Sequence, residues 1–196
     1  GSTKLVYYIS PQIWASRAKR RFQMAAHLDG LASIFPFEKD VYGDTDLSVS
    51  FVGHPFVAPD YQAPVRYDPE GPILLLPGSR QDLVKRLMPV MAEAFTRSGK
   101  GRDAVVLYPS EAMRAQLEAR NLPAGVRLLA MESTDEPVGA SAVLTTSGTM
   151  SMHCALAGIP GAVTYKTDPL TYWLGRMIVT VELIGIANLL LKRAMY

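Results

Sequence analysis

The sequence predicts an α/β fold, a Rossmann-like parallel sheet with helices on both faces, and two observations predict it. Short apolar runs, rich in β-branched and aliphatic residues, alternate with helical patterns, and the runs carry no polar alternation along their length. Strands buried on both faces read this way. The clearest helical pattern places Leu83, Leu87, Val90, Met91, Ala94 and Phe95 on one face at 3.6 residues per turn. Strands separated by helices of this kind make a parallel sheet covered on both sides.

In chain order the expected strands are residues 5–9, 31–35, 49–52, 73–76, 104–108, 126–130, 142–145 and 162–165, with helices in the gaps. Residues 53–71 hold Pro55, Pro59, Pro64 and Pro69 with little periodicity, and read as a linker or long loop. The strands before it do not complete a sheet, whereas those after it run βαβαβαβα. Two domains are therefore expected, 1–70 and 71–196, the second a self-sufficient Rossmann-like layer.

Composition sets further bounds. The 196 residues are 48% hydrophobic and 19% charged, an ordinary globular mixture able to bury a sizeable core. Twenty Lys and Arg against 18 Asp and Glu give a net charge of +2 and no general case for nucleic acid. Any anion site must be local. The single cysteine, Cys154, excludes a disulfide framework within the chain and fits a reducing, cytoplasmic setting. The most apolar stretch, 170–191, is interrupted by Arg176, Glu182, Gly185 and Asn188, too broken for a membrane span. No signal peptide is read at the start. The opening directly on a strand, and the close at 192–196 without a capping signal, read as those of a fragment.

Two strand-to-helix corners carry the candidate chemistry. Leu76-Pro77-Gly78-Ser79-Arg80 turns from an apolar strand into the helix near Gln81. Pro77 and Gly78 shape a tight turn and Ser79 can cap the helix. Free N–H groups at the helix start, with Arg80, suit a diphosphate. The plainer reading is a routine capped loop with an exposed arginine. The second corner, Leu144-Thr145-Thr146-Ser147-Gly148-Thr149, offers small hydroxyl residues and a glycine that let backbone N–H groups approach a phosphate. Two such corners in one parallel sheet converge on its carboxyl edge, where ligands sit.

Other signals are weaker. Asp44-Thr45-Asp46 has the Asp-X-Asp form of a metal motif, but it lies in a glycine-led turn and reads as one. His27, His54 and His153 lack metal-ligand spacing, and no metal or cofactor is expected. There is no Gly-X-Ser-X-Gly elbow and no Gly-Lys-Ser/Thr phosphate loop. Arg17, Lys19, Arg20 and Arg21 crowd a helix expected to open at Ser10-Pro11 and to carry Trp14 and Phe22. This is either a solvated face or a patch for anionic lipid head groups. Tyr172, Trp173, Leu174, Met177 and Ile178 read as core or as a second lipid-facing surface.

Six ordered motifs together resemble the lipid A disaccharide synthase family, glycosyltransferases of the two-Rossmann-domain GT-B type. They are Tyr8-Ile9-Ser10-Pro11-Gln12-Ile13-Trp14-Ala15, Pro36-Phe37-Glu38, Phe51-Val52-Gly53-His54-Pro55, Leu76-Pro77-Gly78-Ser79-Arg80, Ser147-Gly148-Thr149 and Ala187-Asn188-Leu189-Leu190. The resemblance implies transfer of diacylglucosamine from UDP-2,3-diacylglucosamine to 2,3-diacylglucosamine 1-phosphate at the cytoplasmic side of the inner membrane. It implies that Gly78, Ser79 and Arg80 hold the diphosphate, with Arg80 stabilising the leaving group. It also implies that Ser147, Gly148 and Thr149 assist and that Asn188 lines the donor site. The family's general base would lie in a first domain that is largely missing here, so the chain alone is expected to be inactive. A homodimer is compatible with this reading.

Four departures qualify it. Where the family has an acidic residue, this chain has His153 six residues after the serine of Ser-Gly-Thr, where the ribose would be met. It has Leu83 three after Arg80, Ala58 after Gly-His-Pro, and Ser141 before the Ser-Gly-Thr strand. A non-catalytic binding or assembly module of the same fold is therefore the alternative. A UDP-N-acetylglucosamine 2-epimerase-like enzyme would share the sheet but would leave residues 10–14 and the Gly-His-Pro segment unexplained.

Overall fold

The computed structural model describes residues 3–99, 101–131 and 136–166, together with Asn188. These fall into two compact units that separate between Tyr61 and Gln62. The residues 172–174, 177 and 178 singled out above lie outside the described residues.

In the first unit, β1 (Val6–Tyr8), β2 (Gly30–Ser33) and β3 (Val49–Phe51) form a three-stranded parallel sheet in that order. A 3-10 turn at Ile13–Ala15 and helix α1 (Arg20–His27) connect β1 to β2, and α2 (Glu38–Val41) connects β2 to β3. Ile13, Leu31, Tyr42 and Leu47 form the buried core, with Met24 and Ala25 of α1 and Leu28 at its C-cap packed against it. The helix expected from Ser10-Pro11 is thus a 3-10 turn followed by a true helix that begins only at Arg20. Pro11 supplies no N–H, and the Ile13 N–H bonds back to the Pro11 carbonyl at 2.6 Å, a tight turn in place of an α-helical start.

The second unit holds a five-stranded parallel sheet ordered β10-β9-β5-β6-β7. Its strands are β5 (Ile73–Leu76), β6 (Ala104–Tyr108), β7 (Val126–Ala130), β9 (Ala142–Thr145) and β10 (Gly161–Val163). Helix α3 (Gln81–Ser98) follows β5, α4 (Glu111–Glu118) follows β6 and α5 (Thr149–Leu156) follows β9. Period-two alternation divides the core in two. Leu75, Ala104, Val106 and Tyr108 face α3 and α4, against Val84, Leu87, Met88, Met91, Met113 and Leu117. Leu74, Leu76, Val105, Leu107 and Val143 face the other way, toward Cys154 of α5 and Ile159. Both faces of the sheet are covered, as a run of apolar residues without alternation requires.

A strand also lies inside the stretch read as a linker. Here β4 (Val65–Tyr67) pairs in parallel with β8 (Val138–Ala140), immediately before β9. Val65, 1% exposed, is buried with Leu74, Leu76 and Ala140, and this anchors the segment to the second unit. The pairing explains why the units separate at residues 61 and 62 and not near residue 70. The three-residue strand, set between Pro64 and Pro69, is too short to show a period, so it had no signature in the sequence.

Candidate functional site

Leu76 and Thr145 are register partners in the parallel ladder of β5 and β9. The Thr146 N–H donates to the Leu76 carbonyl at 3.0 Å, extending the ladder one residue beyond the strands. The two corners therefore leave the sheet side by side. The chain steps from β5 through β6 to β7 in one direction and then returns to place β9 and β10 on the opposite side of β5. The gap between β5 and β9 is thus the topological switch point of this sheet, the place where open parallel sheets receive ligands.

A cavity of about 430 Å³ opens there. Gly78, Ser79, Arg80 and Leu83 line it from the first corner, and Thr146, Ser147, Gly148, Thr149 and His153 from the second. Leu107, Pro109 and Met131, at the ends of β6 and β7, complete its wall. Gly78 takes φ +101°, a conformation that side-chain-bearing residues avoid, and this turns the chain sharply into the helix.

The residue at the helix boundary differs from the expectation. Arg80, not Ser79, occupies the N-cap position of α3, with φ −94° and ψ 132°, and no side chain caps the helix. Ser79 sits one residue too early to reach the first-turn N–H groups. These donors remain open at the positive end of the helix dipole, beside an exposed arginine that makes no ion pair among the described residues. Asp82 in the first turn is the opposing charge. At the second corner Gly148 precedes α5, and the Ser151 hydroxyl donates to the Gly148 carbonyl at 2.6 Å, fixing the turn. Ser147, Gly148 and Thr149 are exposed.

His153 stands one turn into α5, is 6% exposed, and forms part of the cavity wall. Asn188 is helical and 4% exposed but is not among the residues lining the cavity. Of the four departures, Leu83 and His153 meet at this cavity. Ser141 lies elsewhere, its hydroxyl donating to the Gly71 carbonyl at 2.7 Å and accepting from Arg102 Nη1 at 3.0 Å. Ala58 is exposed, at the C-cap of the 3-10 turn Pro55–Val57. Pro109 and Met131 had not been singled out. The Tyr108-Pro109-Ser110 junction, a third apolar strand running into a turn, was the available signal for Pro109.

The remaining motifs build the first unit. Trp14, Phe37, Phe35, His54, Phe56 and Tyr61 form a continuous ladder of rings with centroid separations of 4.4 to 5.6 Å. His54 Nδ1 accepts the Phe56 N–H at 3.1 Å, which leaves the ring proton on Nε2, and burial lowers its pKa. Glu38 is fully buried, and its Oε2 accepts the N–H groups of Ile34 and Phe35 at 3.1 and 3.0 Å. Asp44 is ion-paired to Arg21 at 2.5 Å, and the guanidinium holds its carboxyl below the usual range. The Asp-X-Asp segment is thus tied into a turn.

Comparison with known proteins identifies the family. The sequence matches the lipid-A-disaccharide synthetase family across residues 1–196. It is 34% identical to a lipid-A-disaccharide synthase of Nitrosococcus oceani, over 95% of this chain and 52% of the relative. It is 35% identical to the protein of that name from Syntrophotalea carbinolica, over 96% and 52%. Lipid-A-disaccharide synthase 1 of Legionella pneumophila is 34% identical, over 98% and 54%. The chain spans about half the length of these relatives. With a parallel α/β architecture and a match along its full length, this chain belongs to the lipid-A-disaccharide synthetase family.

Proposed function

We propose that this chain is the nucleotide-sugar-binding part of a glycosyltransferase of lipid A biosynthesis, taking UDP-2,3-diacylglucosamine as donor and 2,3-diacylglucosamine 1-phosphate as acceptor. The observation that carries the reading is the convergence of two uncapped or serine-fixed helix starts and Arg80 on one cavity at the switch point. In the reaction the acceptor hydroxyl attacks the anomeric carbon, the bond to the diphosphate breaks, and UDP leaves with the bonding electrons. The growing charge on the diphosphate meets the α3 N–H groups and the Arg80 guanidinium, which stabilise it without waiting for solvent to reorganise. Gly78, Ser79, Ser147, Gly148 and Thr149 hold the donor, and His153 faces its ribose. Asn188 belongs to the donor site in this reading by its place in the family motif. The group that removes the acceptor proton lies outside this chain, which therefore binds donor but does not turn it over unaided.

The setting that goes with this reading is the cytoplasmic face of the inner membrane, with the protein peripheral to it and free to form a homodimer. Among the described residues no helix is long and apolar enough to cross a membrane.

Calorimetry with UDP tests the proposal. The parent chain binds, and Arg80→Ala weakens binding by about 1.5 to 3 kcal/mol, roughly ten- to a hundredfold, as loss of a charge-assisted contact demands. An Arg80→Ala variant that titrates like the parent would remove this residue from the site. Turnover of UDP-diacylglucosamine by the purified chain would show that the catalytic base is present after all. A second reading, a non-catalytic module of the same fold, is favoured by one observation: the cavity wall has Leu83 and His153 at two positions where the family resemblance leads one to expect carboxylates.

A further inference from the structure

We propose that the start of α1 is a docking surface for an anionic lipid bilayer, formed by Arg17, Lys19 and Arg20 with Phe22. It gives the peripheral-membrane reading above a specific contact surface, and it is independent of the donor site.

The four basic residues of the Arg17–Arg21 cluster separate into two roles. Arg21 is taken out of the cluster, because both its Nε and Nη2 bond to the Asp44 carboxylate, at 2.6 and 2.5 Å. The other three are exposed and make no ion pair among the described residues. Consecutive turns hold them together: the Arg20 N–H bonds to the Arg17 carbonyl at 2.9 Å, the Arg21 N–H to Ala18 at 3.2 Å and the Phe22 N–H to Lys19 at 3.3 Å. Three like charges thus spring from little more than one turn of chain, and their potentials add over the surrounding surface.

The surrounding backbone adds to this charge and does not offset it. No acidic residue occupies the first turn of α1, and Lys19 at its N-cap makes no side-chain cap. Cations at the positive end of a helix dipole destabilise an isolated helix. An anionic partner removes that penalty, which gives the arrangement its charge complementarity.

Phe22 decides which anionic partner fits. Met24, Ala25 and Leu28 turn one face of α1 to the core, while Phe22, on the opposite side, is 50% exposed. The Arg21 guanidinium lies 4.3 Å from its ring centroid and holds the ring in place. A fixed aromatic ring beside unpaired cations can enter the boundary between head groups and acyl chains while the cations meet lipid phosphates.

The test is co-sedimentation of the full chain with vesicles of phosphatidylcholine alone and of phosphatidylcholine with phosphatidylglycerol. Binding to the anionic vesicles and its weakening by salt are expected. Each removed cation lowers partitioning roughly fivefold, so Arg17→Gln/Lys19→Gln/Arg20→Gln lowers it about a hundredfold. Phe22→Ser weakens binding at unchanged salt dependence. Circular dichroism of each variant must match the parent, and Arg21→Gln in the same assay gives a smaller loss than any exposed cation. Arg80→Ala binds vesicles like the parent, so failure of the donor reading and failure of this one are told apart. Equal binding to both vesicle types, or a triple variant that sediments like the parent, overturns the proposal. So does displacement from vesicles by a DNA oligonucleotide at equal phosphate concentration, which would make the patch a nucleic-acid surface.

Discussion

The point where a Cβ would stand on Gly78 lies 3.1 Å from Cγ2 of Thr146, so the two corners of the cavity touch at a residue that has no side chain. Gly78 also takes φ +101°, and the contact and the dihedral forbid substitution for separate reasons. Gly78→Ala should therefore cost about 1 to 3 kcal/mol of stability, read from urea denaturation, and should weaken UDP binding by moving the Arg80 turn. An alanine variant with unchanged denaturation midpoint would show that the corner relaxes freely.

His153 gives a prediction with two readouts. A neutral imidazole offers one acceptor nitrogen, whereas a carboxylate can accept from both ribose hydroxyls. Because the position is 6% exposed, His153→Glu buries a carboxylate in the free protein and should lower its melting temperature. UDP should restore the loss and bind roughly 1 to 2 kcal/mol more tightly than to the parent. Absence of UDP binding by both proteins at millimolar concentration would defeat the donor-site reading and leave the binding module in its place.

Glu38 predicts a pH dependence of the first unit. Burial, opposed by the Phe35 and Ile34 N–H groups and by Trp14, raises its pKa above the ordinary 4.5. Just above that value the folded chain binds more protons than the unfolded chain, so stability falls as pH rises through the raised pKa. The free energy of unfolding of the parent minus that of Glu38→Gln should accordingly decrease from about pH 4 toward neutrality. A difference that stays flat would mean that the carboxyl titrates normally.

Cys154 is fully buried and its thiol is pushed up to about 12. Iodoacetamide should leave it unmodified in native buffer at mildly alkaline pH and label it once urea opens the second unit. Cys154→Ser, which places a hydroxyl in an apolar cluster, should destabilise by about 1 to 3 kcal/mol. Rapid labelling of the folded chain would contradict the burial.

The parts of this fold that were legible in the sequence are those where one physical demand acts alone. Ile73–Leu76 and Ala104–Tyr108 are central strands packed on both faces, and apolar runs marked their bounds to the residue; Val126–Ala130, at the sheet edge with Arg127 exposed, and Ala142–Thr145 were bounded as well by their aliphatic residues. The three residues of β4 owe their strand conformation to a distant partner, Val138–Ala140, and neither segment carries a period of its own. Helix α1 was displaced for a similar reason: charge and aromatic spacing suggested one helix from Ser10, but the Pro11 to Ile13 turn intervened. At the site, the residues of both corners could be named from their turn chemistry. That they share one cavity followed from the strand order, which places β9 beside β5 and which no local pattern encodes.

The pairing of Leu76 with Thr145 has a consequence for how such a cavity drifts through evolution. Neighbouring strands stand about 4.8 Å apart whatever their side chains, and the N–H groups at the two helix starts inherit that spacing. In the proposed reading the anion is held by backbone N–H groups, so side chains of the wall such as Leu83 and His153 can vary without dismantling that contact. Selectivity, in contrast, resides in the side chains and is free to be rewritten. A corner of this kind can exchange one ligand for another and still present the same pair of helix starts to whatever enters.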